Sequence, residues 1–500
     1  MSATVVAAQA PAPVTAPAAV ARAAATITER DIQRRINVMA HDTMRGRYTP
    51  SAELEGTAVW IASEFESLGL TPAGDEGGFL QRYSIRRVTL NPGRSGARFG
   101  RRDLRYGRDF GPALPVLPPA ISLTGPLAVV SGSRDPGEGL RSASFTGQHV
   151  LIVPPFGLDL RDAVVGNVYR AVLAREPLAV WVAISEQNRE WVERVNAELR
   201  RQHVHVGEPV TRPVFAVRDQ SIDESLRAAG LELARLRDRS DDNVRWHGAP
   251  GALVSVTTEW RYITDRSAPN VVGVLAGDDP VLKDEYVVFS AHMDHLGVGD
   301  PDVWGDSIYN GADDNASGTA AVLELAEAFA ALEVRPRRSV VFLTVSGEEH
   351  GLWGSDYFAQ HLPFPIDHIV ANLNIDMIGR NWPDTIVAIG REHSDLGATL
   401  ASVNADHPEL GMTAIDDLWP QENFYMRSDH YNFARRGVPV LFFFNGTHDD
   451  YHRPSDEADK IDAEKAARIA RLLFYFGLEV ANRAERPRWN PESYREIVRP

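Results

Sequence analysis

Between residues 250 and 480 two patterns of apolar positions alternate along the chain. Short unbroken apolar runs read as strands buried on both faces: NVVGVLAG (270–277), EYVVFSAH (285–292), RSVVFLTVS (338–346), HIVANLNID (368–376) and VPVLFFFN (438–445). Between them lie helical patterns, GTAAVLELAEAFAAL (318–332), GLWGSDYFAQHL (351–362) and DAEKAARIARLLFYFGLEV (462–480). In the last of these Ile469, Leu472, Leu473, Phe476 and Val480 recur at helical spacing and face inward. Buried strands alternating with helices predict an α/β fold, a mostly parallel central sheet covered by helices on both faces. Such sheets place their sites at the carboxyl ends of the strands.

Upstream the texture differs. Thr28 and Asp31 form a capping box ahead of a stripe of Ile32, Ile36 and Met39, and a second helix is expected over Ala52–Leu68, stopped by Gly69. GPALPVLPPAISLTGP reads as a linker or domain edge. After it, GQHVLIVPP, PLAVWVAIS and TRPVFAVR look like short buried strands, with helical patterns around Arg189–Arg201 and Asp223–Ala229. The predicted organisation is a disordered tail or signal remnant over 1–25, a first part of the main domain over 26–115, an inserted smaller α/β or β-rich domain over 116–248, and the rest of the main domain over 249–490.

Composition narrows the function classes. A formal net charge of -16 argues against a nucleic-acid partner. The absence of cysteine excludes disulfides, thiolate nucleophiles and Cys-ligated metal. No apolar run approaches the ~18 residues of a membrane span. VVAAQA near the start resembles the end of an export signal with an A-x-A-like site, which gives the expectation of a periplasmic or secreted protein.

Acidic and imidazole groups recur where the predicted strands end. SAHMDH offers His292, Asp294 and His295, GADDNASG offers Asp313 and Asp314, and SGEEHG offers Glu348 and Glu349. NIDM offers Asp376, and DDYHRPSD offers His452 and Asp456. A charge placed directly after a buried strand is costly unless it is paired or metal-bound. Two His and several carboxylates without a thiolate suit Zn²⁺ or a similar divalent ion, and there are enough of them for two ions with one carboxylate left to bridge.

The ordered set NVVGVLAG, EYVVFSAHMDHLG, NGADDNASG, VFLTVSGEEHGLWGS, NLNIDMIGR, SDHYNF and YHRPSD resembles the di-zinc exopeptidases. This is the superfamily of bacterial aminopeptidases, glutamate carboxypeptidases and glutaminyl cyclases. The likeness is loose over 26–110 and close over 250–480. It implies the zinc exopeptidase fold and two Zn²⁺ per chain. By the same resemblance His292 and Asp376 bind one ion, Glu349 and His452 the other, and Asp314 bridges them. Glu348 is the general base, Asp294 orients His292, and the Asp314–Asn315 peptide is cis. The inserted segment weakly resembles a protease-associated domain.

Asp456 either accepts from the distal nitrogen of His452 or caps a turn. Arg427, Asp429 and His430 are candidates for substrate binding, each with a salt-bridge or hydrogen-bonding role as the alternative. His295 and His350 read as structural neighbours. The expected activity is removal of N-terminal residues from peptides. The alternatives are a carboxypeptidase acting on acidic C-termini, a glutaminyl cyclase, and a non-catalytic binding module.

Overall fold

The apolar runs become the strands of a central sheet in the computed structural model, which describes residues 17–113, 120–156, 158, 162–185, 203–206, 212–238 and 243–498. The chain divides into two units, one formed by the sequence up to Ser84 and from Ser267 onward, the other by Ile85–Arg266.

The strands that concern the site are β1 (Trp260–Leu275), β2 (Tyr286–His292), β3 (Ser339–Val345), β4 (Ile369–Asp376), β5 (Thr385–Ile389), β6 (Thr413–Ile415) and β7 (Val440–Phe444). They are ordered β6-β5-β7-β4-β2-β3-β1. The central strands β3, β2, β4 and β7 pair in parallel. Antiparallel pairs flank them, β1 with β3 and β5 with β7. The principal helices are α1 (Pro17–Ala24), α2 (Glu29–Met39), α3 (Ala52–Ser67), α4 (Gly318–Ala330), α5 (Trp353–Gln360) and α6 (Ala463–Asn482).

Both faces of the sheet are covered, which is why its strands lack polar alternation. Side chains along a strand point alternately to opposite faces. Val288, Val341 and Leu343 therefore pack with Phe358 of α5 and with Phe433. Phe289 and Phe342 point the other way, to Phe329 of α4, with ring centroids 5.7 and 5.9 Å apart. Phe329 in turn meets Phe474 of α6 at 5.0 Å. A Cβ at Gly477 would lie 2.2 Å from the Phe289 ring, so glycine there sets how closely α6 approaches the sheet.

The expected cap forms at Thr28, which accepts from the Asp31 N–H ahead of α2; Ser51 also accepts from the Leu54 N–H ahead of α3. Arg35 of α2 is buried with Glu324 of α4 and pairs also with the half-buried Glu327 of α4 and Glu64 of α3, tying the three helices together. The expectation of a tail up to residue 25 is corrected for its described part. Pro17–Ala24 is helical and buries Ala19, Ala23 and Ala24, because alanine combines high helix propensity with a side chain small enough for close packing. Residues 1–16, with the signal-like VVAAQA, lie outside the described residues.

The second unit has its own sheet, with parallel pairing of Ile121–Ser131, His149–Val153, Ala179–Ile184 and Val214–Arg218 at its centre. Trp181 anchors its core against Phe99 and Phe215, at 4.9 and 4.7 Å between centroids. This unit extends beyond the expected 116–248 on both sides. Gly96–Phe99, Arg102–Arg105 and Phe110–Pro112 belong to its sheet, and position 248 falls inside the strand Arg245–Thr258. The helical pattern around Arg189–Arg201 lies outside the described residues.

Candidate metal centre

Four parallel strands deliver their carboxyl ends to one place. His292 closes β2 and Asp376 closes β4. Glu348 and Glu349 follow β3, and His452 lies in the loop after β7. Asp314 sits in the irregular turn Ala312–Ser317 that enters α4.

The side chains converge closely. His292 Nε2 lies 3.3 Å from Asp314 Oδ1 and 3.4 Å from Asp376 Oδ1. His452 Nε2 lies 3.1 Å from Asp314 Oδ2 and 3.3 Å from Glu349 Oε2. Asp314 thus turns one oxygen to each histidine. Ligand atoms of His292, Glu348 and Asp376 come within 4.8 Å of one another, and so do those of His295, Asp314 and Glu349. The Asp314–Asn315 peptide is cis.

Burial makes this cluster costly as a purely organic assembly. Asp294, Asp314, Asp376, Asp429 and Asp456 are all buried. Burial, reinforced by Asp429, Glu349 and Asp376 and opposed by His292, pushes Glu348 well above the usual carboxylate range. Burial also raises Asp376. Burial and Asp314 oppose the charge on Glu349, yet hydrogen bonds from His295 and His452 hold it at about 2. His452, against its own burial, is raised to about 10 by Asp314 and Glu349. Asp376 Oδ1 is buried without a hydrogen bond. Two imidazoles, three carboxylates and an unsatisfied buried lone pair facing one of the imidazoles are a donor set that fits divalent zinc.

Supporting groups set the orientation. Asp294 Oδ1 lies 3.7 Å from His292 Nδ1 and accepts from the Glu348 N–H at 3.3 Å. Its Oδ2 accepts from the Thr49 hydroxyl at 2.9 Å, and Thr49 Oγ1 accepts from the Gly347 N–H at 3.1 Å. Ser428 Oγ–H donates to Asp376 Oδ2 at 3.1 Å. Asp313 Oδ1 accepts from the Gly379 N–H at 2.6 Å.

Of the two roles open for Asp456, the structure selects the turn. Its carboxylate accepts from the backbone N–H groups of Asp313 and Asp314 at 3.0 and 3.1 Å, not from His452. Adjacent N–H groups of a tight turn converge on one anion, which draws this carboxylate away from the imidazole. Of the proposed substrate residues, Arg427 lines the pocket over the cluster, together with the apolar Met377, Phe424, Phe442 and Phe444. Its guanidinium lies over the Phe424 ring at 4.8 Å. Asp429 and His430 are fully buried and are not among the residues lining that pocket, and His430 stacks on Phe442 with ring centroids 4.5 Å apart.

Arg47 was not singled out by its sequence. It is fully buried and donates to the carbonyls of Met293 and Asn310 at 2.8 Å, of Gly311 at 2.9 Å and of Met39. It thereby clamps the segments that carry His292 and Asp314. Burial lowers its pKa to about 10 against the opposing pull of Asp294 and Asp314, which leaves it cationic at neutral pH. MRGRYTP carries no motif for such a role, since a guanidinium binding carbonyls leaves no pattern of acidic partners nearby in the chain.

Residues 270–477 match the family model described as Peptidase family M28. A "Probable zinc metalloprotease" of Pyricularia oryzae is 29% identical over 257 residues, covering 43% of this chain and 50% of that protein. The aminopeptidase YwaD of Bacillus subtilis is 23% identical, with 46% of this chain and 49% of that protein covered. The chain thus spans about half the length of these curated relatives. Among solved structures, an aminopeptidase from Aneurinibacillus sp. strain AM-1 is 17% identical with a TM-score of 0.47, covering 93% of this chain and 97% of that one.

Proposed function

We propose that the chain, whose residues 270–477 match Peptidase family M28, is a zinc metallopeptidase of that family and a two-zinc exopeptidase that removes N-terminal residues from peptides. The observation that carries this reading is the division of Asp314 between His292 and His452. One carboxylate shared by two imidazoles, each with its own second carboxylate, is a ligand plan for two cations. His292 and Asp376 would hold one zinc, His452 and Glu349 the other, and Asp314 both. Zinc held there supplies Lewis acidity toward a peptide carbonyl and toward water.

The remaining work falls to the protein's own groups. Glu348 is the general base, which takes a proton from the attacking water and returns it to the leaving amine. Its side chain lines the pocket together with those of His292, Asp314, Asp376 and His452. The apolar wall of Met377, Phe424, Phe442 and Phe444 excludes water and receives a side chain of the substrate. Asp294 and Thr49 keep the Glu348 backbone in register with His292.

A carboxypeptidase is the second reading, favoured by the guanidinium of Arg427 in the pocket wall. Recognition of a free carboxylate calls for a basic cluster, and Arg427 is the one cationic side chain among the described lining residues apart from the histidines. A panel of aminoacyl-anilides and N-blocked peptides, with and without chelator, separates the two. Chelator-sensitive release from the anilides supports the aminopeptidase, and cleavage confined to N-blocked peptides overturns it.

A further inference from the structure

We propose that His295 is a positioning residue that aims Glu349 at the second cation, an inference that rests on the two-zinc reading above. His295 is completely buried, and its Nδ1 lies 2.6 Å from Glu349 Oε1. The other oxygen of the same carboxylate, Oε2, faces His452 Nε2 at 3.3 Å. Glu349 is therefore divided between two histidines.

The chemistry of the pair assigns the proton. An ionised carboxylate only accepts, so Nδ1 of His295 is the N–H donor in this contact. A ring nitrogen that donates a hydrogen bond has no lone pair left for a cation. Nε2, the only other nitrogen, has no hydrogen-bond partner, and the recorded approaches to Glu349 and Asp314 are both through Nδ1. His295, Asp314 and Glu349 lie close enough to suggest a ligand triad, but the hydrogen bond makes His295 a support for the ligand and leaves His452 as the ligating imidazole. A carboxylate ligand pinned by a donor on one oxygen presents the other in a fixed direction, and removing such a partner typically weakens metal binding.

The fold holds the ring for this task. The His295 N–H donates to the carbonyl of Arg47 at 3.3 Å. A Cβ at Gly311 would lie 2.5 Å from the His295 ring, so the glycine of GADDN leaves room for the imidazole to lie against the turn that carries Asp314. The His452 ring meets it edge-on, with centroids 5.7 Å apart.

Zinc binding by the whole protein tests the assignment, with wild type, H295L, H295N and H452A titrated against a chromogenic chelator. Asparagine places an amide N–H where imidazole has Nδ1, whereas leucine fills the space without a donor. The expected result is two zincs in wild type, a second-site affinity about 10–100-fold weaker in H295L, and recovery of most of that loss in H295N. H452A is expected to lose the second site. Cobalt substitution adds a spectroscopic check: the visible bands of the second site shift in H295L and return in H295N. Wild-type affinity in H295L, or a loss in H295N as large as in H295L, overturns the inference, as does retention of both zincs by H452A. Fewer than two zincs in wild type would instead overturn the two-zinc reading itself. Melting temperatures of the zinc-free variants identify any that fail to fold, and H295N against wild type then decides alone: equal affinities support the donor role and a 10-fold loss refutes it.

Discussion

Asp456 Oδ2 accepts the backbone N–H of Asp314 at 3.1 Å. The carboxylate that closes the last motif thus fixes the turn that presents the shared ligand, and the effect of Asp456 on metal binding is exerted through Asp314. D456A removes every acceptor for the Asp313 and Asp314 N–H groups that this side chain provides, whereas D456N keeps one. Zinc affinity is expected to fall at least ~10-fold in D456A and less in D456N. Equal losses in the two variants would argue against the hydrogen bonds as the cause.

Glu348 is expected to be needed for turnover but not for holding metal. E348Q should retain wild-type zinc content while kcat falls by about 10²–10⁴-fold. Metal analysis alongside anilide kinetics checks both halves. Zinc loss in E348Q would move Glu348 into the ligand set, and full turnover would remove it from the base role.

The two units are expected to respond differently to acid. His149, completely buried in the core of the second unit, has its pKa lowered to about 4 by burial, against 6.5 unperturbed. The folded state therefore resists protonating it. Its neutral form supports folding fully above pH ~6.5, and that support is lost as pH falls toward 4, by about 3 kcal/mol in all. Urea denaturation followed by Trp181 fluorescence should show the midpoint of this unit falling between pH 7 and pH 4.5. H149N, which titrates no imidazole, should flatten that slope.

The buried pair Arg35–Glu324 should behave as a dependent couple. R35M strands a carboxylate whose pKa burial already raises to about 7. The expected destabilisation is about 3–5 kcal/mol, and R35M/E324L should recover much of it. Additive losses in the double-mutant cycle would show that the two side chains do not act together.

Some of this molecule was legible in its sequence for physical reasons. A strand covered on both faces has no polar alternation, so β2, β3, β4 and β7 stand out as apolar runs. An acidic residue or histidine directly after such a run breaks the pattern, and that break marked His292, Glu348, Glu349 and Asp376. Short strands leave no comparable trace. Thr385–Ile389 and Thr413–Ile415 hold too few residues for a period to emerge. The edges of the second unit were hidden because its sheet recruits Gly96–Phe99 and Arg245–Thr258, stretches with more polar content than its central strands. Arg47, Thr49 and Asp456 act through backbone groups remote in sequence, and only the folded chain reveals those partners.

Metal stoichiometry of the purified protein tests the two-zinc centre most directly. Elemental analysis after equilibration with zinc should give two ions per chain in wild type and one in H452A or H292A, with chelator abolishing activity and zinc restoring it. A single zinc in wild type, or undiminished activity after complete removal of metal, would contradict a centre built around Asp314.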